Sequence, residues 1–230
     1  MENFLFVSSY WGFVLTLASY WLALKLSKRL KLTIFNPILV SSLIIICLLL
    51  LFKIDYSSYS GSAKYLNYFL TPATVCLAYP MYQQFALLKN HAAAILLSIF
   101  SGCLACAVTI FLLSRLFGLS PEVYYSLQPK SVTTAIALGI SEEMAGNASI
   151  TAIAVVITGL LGAMLASSIC RICKITHPVA IGLACGNSAH AIGTSKALEF
   201  GEVQGAMSSL SIVIAGVMTV IIIPLFAGFY

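Results

Sequence analysis

Charge is what this chain has least of. Lysine, arginine, aspartate and glutamate together make up 8% of its 230 residues, where soluble domains carry roughly a quarter. Between Ser131 and Cys170 the only charged residues are Glu142 and Glu143. Polar stretches are scarce too. The only extended polar loops are 53–64 and 118–130, which leaves no room for a separate soluble module. No basic stripe interleaved with aromatics is present, so nucleic-acid binding is not expected. HExxH, GxSxG and paired-aspartate motifs are missing as well. The expectation is therefore a protein that is not an enzyme, with no catalytic residue and no cofactor. The chain opens Met1-Glu2-Asn3 without a basic n-region, so a cleavable signal peptide is not expected.

Apolar residues fill the space that charge leaves. They make up 60% of the chain, and the mean hydropathy is +1.02. A bilayer-spanning helix needs about 20 mostly apolar residues. Residues 4–24, 32–52, 92–114, 149–170 and 203–230 qualify. Residues 65–88 and 175–195 are long enough but rich in Gly, Pro, Thr, Asn or Ser. The fold expected is an all-α polytopic membrane protein forming one membrane domain over 1–230, with about six to eight transmembrane helices, some broken or re-entrant. The first basic cluster, Lys25, Lys28, Arg29 and Lys31, follows the first apolar run. Basic loops stay cytoplasmic, which puts the N-terminus outside.

Seven cysteines lie in or beside apolar stretches. Cys103 with Cys106, and Cys170 with Cys173, have CxxC spacing. Helical spacing of small apolar residues explains both pairs, and a free Cys packs as a small hydrophobe, so no metal site is expected.

An internal echo recurs at a spacing of 57 residues. Pro72-Ala73-Thr74-Val75 resembles Pro129-Lys130-Ser131-Val132, and at the same offset Gly102 meets Gly159 and Pro121 meets Pro178. Such repeats are common in transporters. The tentative partition is N-terminal helices over 1–64, one repeat over 65–121, and a second repeat with the C-terminal helix over 129–230. Loop charges refine the geometry. Arg171, Lys174 and His177 reach the cytoplasm only if residues near 131–145 enter the membrane and turn back. Residues 131–140 would make about 15 Å of helix, half of a ~30 Å core. This geometry puts Ser141, Glu142 and Glu143 near mid-membrane.

Four motifs carry a family resemblance. They are Pro129-Lys130-Ser131-Val132-Thr133-Thr134, Gly159 to Ala163, Gly186-Asn187-Ser188-Ala189-His190-Ala191-Ile192-Gly193-Thr194, and Gly205-Ala206-Met207-Ser208-Ser209-Leu210. Together they resemble the LrgB/CidB family over nearly the whole chain. The resemblance implies a cell-membrane protein linked to control of murein hydrolase activity and lysis, with a small holin-like partner. Plastid relatives look like glycolate/glycerate transporters, and bacterial members are tied to export of small organic acids. The chain departs from the family pattern at Ala135, where a proline is usual, and at Ala145-Gly146-Asn147-Ala148, where the family reads GGIP. Glu142 fits the pattern and Glu143 is less typical.

The leading expectation is transport of a small carboxylate such as glycolate, lactate or pyruvate; the alternative is regulation of wall hydrolases with the holin-like partner. A homo-oligomer is a further possible partner state. The candidate substrate-binding residues are Thr74, Lys130, Ser131, Thr133, Thr134, Asn147, Asn187, His190 and Thr194. Each has a plainer reading: a cap or self-bonded hydroxyl for Ser, Thr and Asn, snorkelling for Lys130, and a satisfied core residue for His190. The intramembrane acids Glu142 and Glu143 are the candidates for proton coupling, with helix capping as the rival role.

Overall fold

The computed structural model describes residues 9–30, 37–69 and 82–230, with 72, 75, 76 and 79. Among them the regular structure is helical, with no strand. The chain packs as two compact units, Met1–Cys76 and Leu77–Tyr230.

The first unit holds α1 (Trp11–Leu30), α2 (Pro37–Leu51) and α3 (Tyr56–Ala63), followed by a 3₁₀ turn over Lys64–Phe69. Both α2 and α3 pack on α1. Gly12 lets α3 approach closely: its N–H donates to Ser62 Oγ at 3.1 Å, while Thr16 Oγ1 and Tyr59 OH share a 2.8 Å hydrogen bond. Asp55 caps α3 by accepting from Ser57 N at 3.0 Å. Hydrogen bonds from the Ser57 hydroxyl and N–H hold its carboxyl below the usual carboxylate range.

The second unit holds α4 (Phe85–Asn90), α5 (Ala92–Phe117), α6 (Pro121–Leu127), α7 (Thr134–Glu143), α8 (Ala148–Ile172), α9 (Pro178–Phe200) and α10 (Glu202–Ala227). Three of these, α5, α8 and α10, are long and apolar enough to cross a membrane. On α5, Ile95, Ile99, Cys103 and Ala107 recur every four residues and form one buried stripe. That spacing keeps them on one helix face, which packs with Ala206, Met207 and Leu210 of α10. The opposite faces stay apolar: Leu97 of α5 is 67% exposed and Ile153 of α8 is 61% exposed. Polar residues lie inside instead, with Thr151, Thr194, Ser208 and Ser211 fully buried. Apolar outside and polar inside is the pattern of a helical protein solvated by lipid.

Two hairpins set the topology. The first is α6, a turn over 129–133, and α7. It opens at the end of the bundle where α5 finishes: Asn147, just past α7, donates its N–H to Ser126 Oγ of α6 at 2.7 Å and its Nδ2 to Glu122 Oε1 at 3.1 Å. Its tip lies deep. Ser131 Oγ shares a 3.0 Å hydrogen bond with Cys106 Sγ, and Cys106 is eleven residues, about 16 Å, before the end of α5. The ten residues of α7 then return about 15 Å to the starting end.

The second hairpin is α9 itself. Helical backbone breaks at Ala189 (φ −134°, ψ 15°) and His190 (φ 42°, ψ −133°), and the chain reverses there. Gly193 lies against Cys185 O, whereas eight residues of unbroken helix would separate them by about 12 Å. Both arms pack on the same stretch of α10: Ser211 Oγ donates to Leu183 O at 3.2 Å, and Thr194 Oγ1 bonds Ser208 Oγ at 2.8 Å. This hairpin opens at the opposite end of the bundle, where α8 finishes. The α5–hairpin and α8–hairpin modules are thus inverted copies, with Pro121 and Pro178 each the first residue of an entering arm. The long helices that precede these hairpins begin at Ala92 and Ala148.

Candidate functional site

Residues of both tips, Lys130 and Ser131 on one and Asn187 and Ser188 on the other, line one cleft. Between them and α5 and α8 lie adjoining cavities of about 670 Å³ and about 370 Å³, both lined by Lys130, Ile169, Ile175, Ala184 and Ser188. Ser131, Cys106 and Asn187 line the larger; Thr158 and Gly162 line the smaller. Among the described residues Lys130 is the only charged side chain on either wall.

Local sequence explains the tips. Pro129 follows α6 and lacks an N–H, so the helix stops; Lys130 N donates to Leu127 O at 3.2 Å and Val132 N to Pro129 O at 3.3 Å in tight turns that lead to Thr133, the N-cap of α7 (φ −64°, ψ 149°). Glycines on the neighbouring helices clear space for the second tip. A Cβ on Gly159 would meet the His190 ring at 2.7 Å, one on Gly162 would meet Ala189 Cβ at 2.6 Å, and one on Gly102 would collide with Asn187 Nδ2. His190 donates from Nε2 to Val155 O at 3.1 Å. Asn187 donates from Nδ2 to Ile99 O at 3.2 Å and accepts from Cys103 Sγ at 3.3 Å.

The arms that leave the tips, α7 and residues 191–200, both start at mid-height. Helix N-termini carry free N–H groups and about half a positive charge. Lys130 stands three residues before the N-cap of α7, in a cleft whose described lining holds no acidic side chain, and such a position can receive one small anion.

The structure sorts the sequence candidates. Lys130, Ser131 and Asn187 line the cleft together. Ser131 does not cap α7, since Thr133 is the N-cap and makes no side-chain capping bond. Thr134 is exposed on the first turn of α7. His190 and Thr194 form the hinge of the second hairpin and its tie to α10 rather than the wall. Asn147 caps α8, accepting from Ser149 N at 3.0 Å, at the open end of the first hairpin. Thr74 lies outside the described residues.

The acids lie elsewhere than the sequence geometry suggests. Glu142 and Glu143 are exposed at the C-terminal end of α7, beside the open end of the hairpin and not near mid-membrane. Sequence length alone puts the reversal at the end of the ten-residue helix; the structure puts it at the start, because Pro129 breaks the chain before α7 begins. Directly after the acids the chain forms a surface cap. Gly146 N donates to Ser141 O at 2.7 Å and Ala145 N to Glu142 O at 3.2 Å, with Ala145 at φ 58° where glycine is usual.

Sequence reasoning misses Ser188. The signal that could have found it is the internal offset: Ser188 stands 57 residues after Ser131, and Asn187 57 after Lys130.

Three long apolar helices and two opposed hairpins whose tips share an anion-suited cleft define a polytopic helical membrane protein. The chain belongs to the LrgB-like family, whose model matches residues 16–229. It is 35% identical over 211 residues to the holin-like protein CidB of Staphylococcus aureus (strain Mu50 / ATCC 700699), covering 92% of each chain. It is 34% identical over 224 residues to the antiholin-like protein LrgB of Bacillus cereus (strain B4264), covering 97% of each. No solved structure matches the chain.

Proposed function

We propose that this chain is a cell-membrane transporter of small monocarboxylates such as glycolate, lactate or pyruvate, with the substrate held between the two hairpin tips. The observation that carries the reading is the position of Lys130, the only charged group among the described residues of the cleft wall, held at mid-height just before the N-terminus of α7. Binding sites at the interface of inverted repeats, built from broken helices, are the general pattern of secondary transporters. A lysine paired with one carboxylate offsets the cost of burying each charge. The end of the bundle that carries Arg171 and Lys174 faces the cytoplasm in this reading, since basic loops stay inside.

Purified chain in proteoliposomes tests it. Uptake of labelled glycolate, lactate or pyruvate is expected above empty vesicles, and Lys130→Gln is expected to lower the initial rate about tenfold or more, the usual scale for leaving a buried charge unpaired. Equal uptake by Lys130→Gln and the unaltered chain would remove the lysine from the site.

The names of the relatives favour a second reading, in which the chain acts with a small holin-like membrane partner to control wall hydrolases. On that reading the effect depends on the partner, and proteoliposomes holding this chain alone take up no acid.

A further inference from the structure

The inverted repeat relates Lys130 to Asn187 and Ser131 to Ser188, each pair 57 residues apart, and all four line one cleft. The two tips therefore present matching hydroxyls and unmatched neighbours: an ammonium on one tip, a neutral amide on the other. We propose that Asn187 sets the charge class of the substrate. It receives the neutral polar end of a 2-hydroxy or 2-oxo monocarboxylate, while Lys130 receives the carboxylate. This rests on the transport reading above and adds the discrimination between one acid group and two.

Asn187 is built for that task. An amide side chain has two N–H donors and an oxygen with two lone pairs. One N–H is taken by Ile99 O and one lone pair by Cys103 Sγ, which fixes the amide and leaves one donor and one acceptor. A hydroxyl or carbonyl oxygen can use them. A second carboxylate could accept from the N–H, but it would leave water for a neutral amide with no cation on that tip to offset its charge. An unpaired charge of this kind is an effective way to reject a competitor. Gly102 serves the same end, since its missing side chain is what lets Asn187 lie against α5.

The test compares uptake of lactate, which has one carboxylate and one hydroxyl, with malate, which adds a second carboxylate, in proteoliposomes of the full chain. Wild type is expected to prefer lactate. Asn187→Lys places a cation on both tips and is expected to lower the lactate-to-malate ratio at least tenfold. The swapped variant, Lys130→Asn with Asn187→Lys, moves the cation to the related position and is expected to recover lactate uptake lost in Lys130→Asn alone. A role confined to pinning the tip would lower both rates and leave the ratio unchanged, and that outcome overturns the proposal. Should Asn187→Lys fail to fold, Asn187→Asp keeps the volume. It is expected to lower lactate uptake more than tenfold by facing the substrate with a like charge, and unchanged uptake overturns the proposal. The two readings fail separately. Wild-type vesicles that take up neither acid sink the transport reading and this one with it. Wild-type vesicles that take up both acids equally sink only this one.

Discussion

Gly186→Ala is the sharpest test of how the second hairpin is held. Gly186 sits on the entering arm of α9, buried against α10. A Cβ there would come to 2.9 Å from both the Cα and the carbonyl carbon of Ser208, and closer still to its carbonyl oxygen. Carbon atoms in good van der Waals contact sit about 3.5–4.0 Å apart, so the overlap is close to 1 Å. The atoms struck are backbone, and no rotamer change moves them aside. The arm has to separate from α10 along the stretch where Leu183 O receives the Ser211 hydroxyl. Overpacking of this kind costs typically 1–3 kcal/mol, occasionally more, and loss of the buried hydrogen bond adds to it. Gly139 supplies the control. It lies inside α7 with nothing within 4 Å of an added Cβ, so Gly139→Ala is expected to stabilise its helix by up to about 1 kcal/mol. Thermal unfolding of the two purified variants in detergent reads both signs in one assay. Gly186→Ala melting at or above the unaltered chain would refute the close contact between this arm and α10. Ser208→Ala added to Gly186→Ala is not expected to rescue it, because the collision is with the backbone of residue 208.

Two further outcomes rest on the same geometry. His190 holds φ 42°, a conformation that costs a non-glycine residue about 1–3 kcal/mol; His190→Gly is therefore expected to be more stable than His190→Ala in thermal melts, the reverse of the order inside a regular helix. Glu142→Gln combined with Glu143→Gln is expected to leave uptake and its pH dependence unchanged, since both side chains are exposed at the open end of the first hairpin; lost pH dependence in the uptake assay would return the acids to the transport path.

Much of this architecture is legible in the composition and spacing. The apolar runs over 92–114, 149–170 and 203–230 correspond to α5, α8 and α10, because a lipid-facing helix stays apolar along its whole length. The re-entrant character of the segment before α8 follows from its length and from the loop charges. Its polarity does not follow. A ten-residue helix can end or begin at the tip, and only the contacts of Ser131 and Asn147 with neighbouring helices decide which. The same ambiguity separates the mid-membrane position expected for Glu142 and Glu143 from the one they hold at the end of the bundle. The break inside α9 is harder to see. Gly186 and Gly193 are compatible with either close packing or unwinding, and the residue that takes the left-handed turn is His190 rather than either glycine. Tertiary packing, with His190 bonded to Val155 O, overrides local preference there. Lys130 and Asn187 stand out by motif; the depth of Lys130 is not legible, because the sequence geometry puts it at the membrane edge and the reversed hairpin puts it at a tip, and Ser188 stays hidden until the inverted repeat gives Ser131 a partner.

The most direct test of the central claim, that the tips of two opposed hairpins meet at mid-height, is cross-linking within the intact membrane protein. In a chain whose native cysteines are replaced, a short bifunctional thiol reagent is expected to join Ser131→Cys to Ser188→Cys, both of which line the same cleft. It is not expected to join Glu143→Cys to Ser188→Cys, because Glu143 ends α7, about 15 Å of helix away from the tip at which α7 starts. Cross-linking of the second pair and not the first would reverse the hairpin and contradict the account.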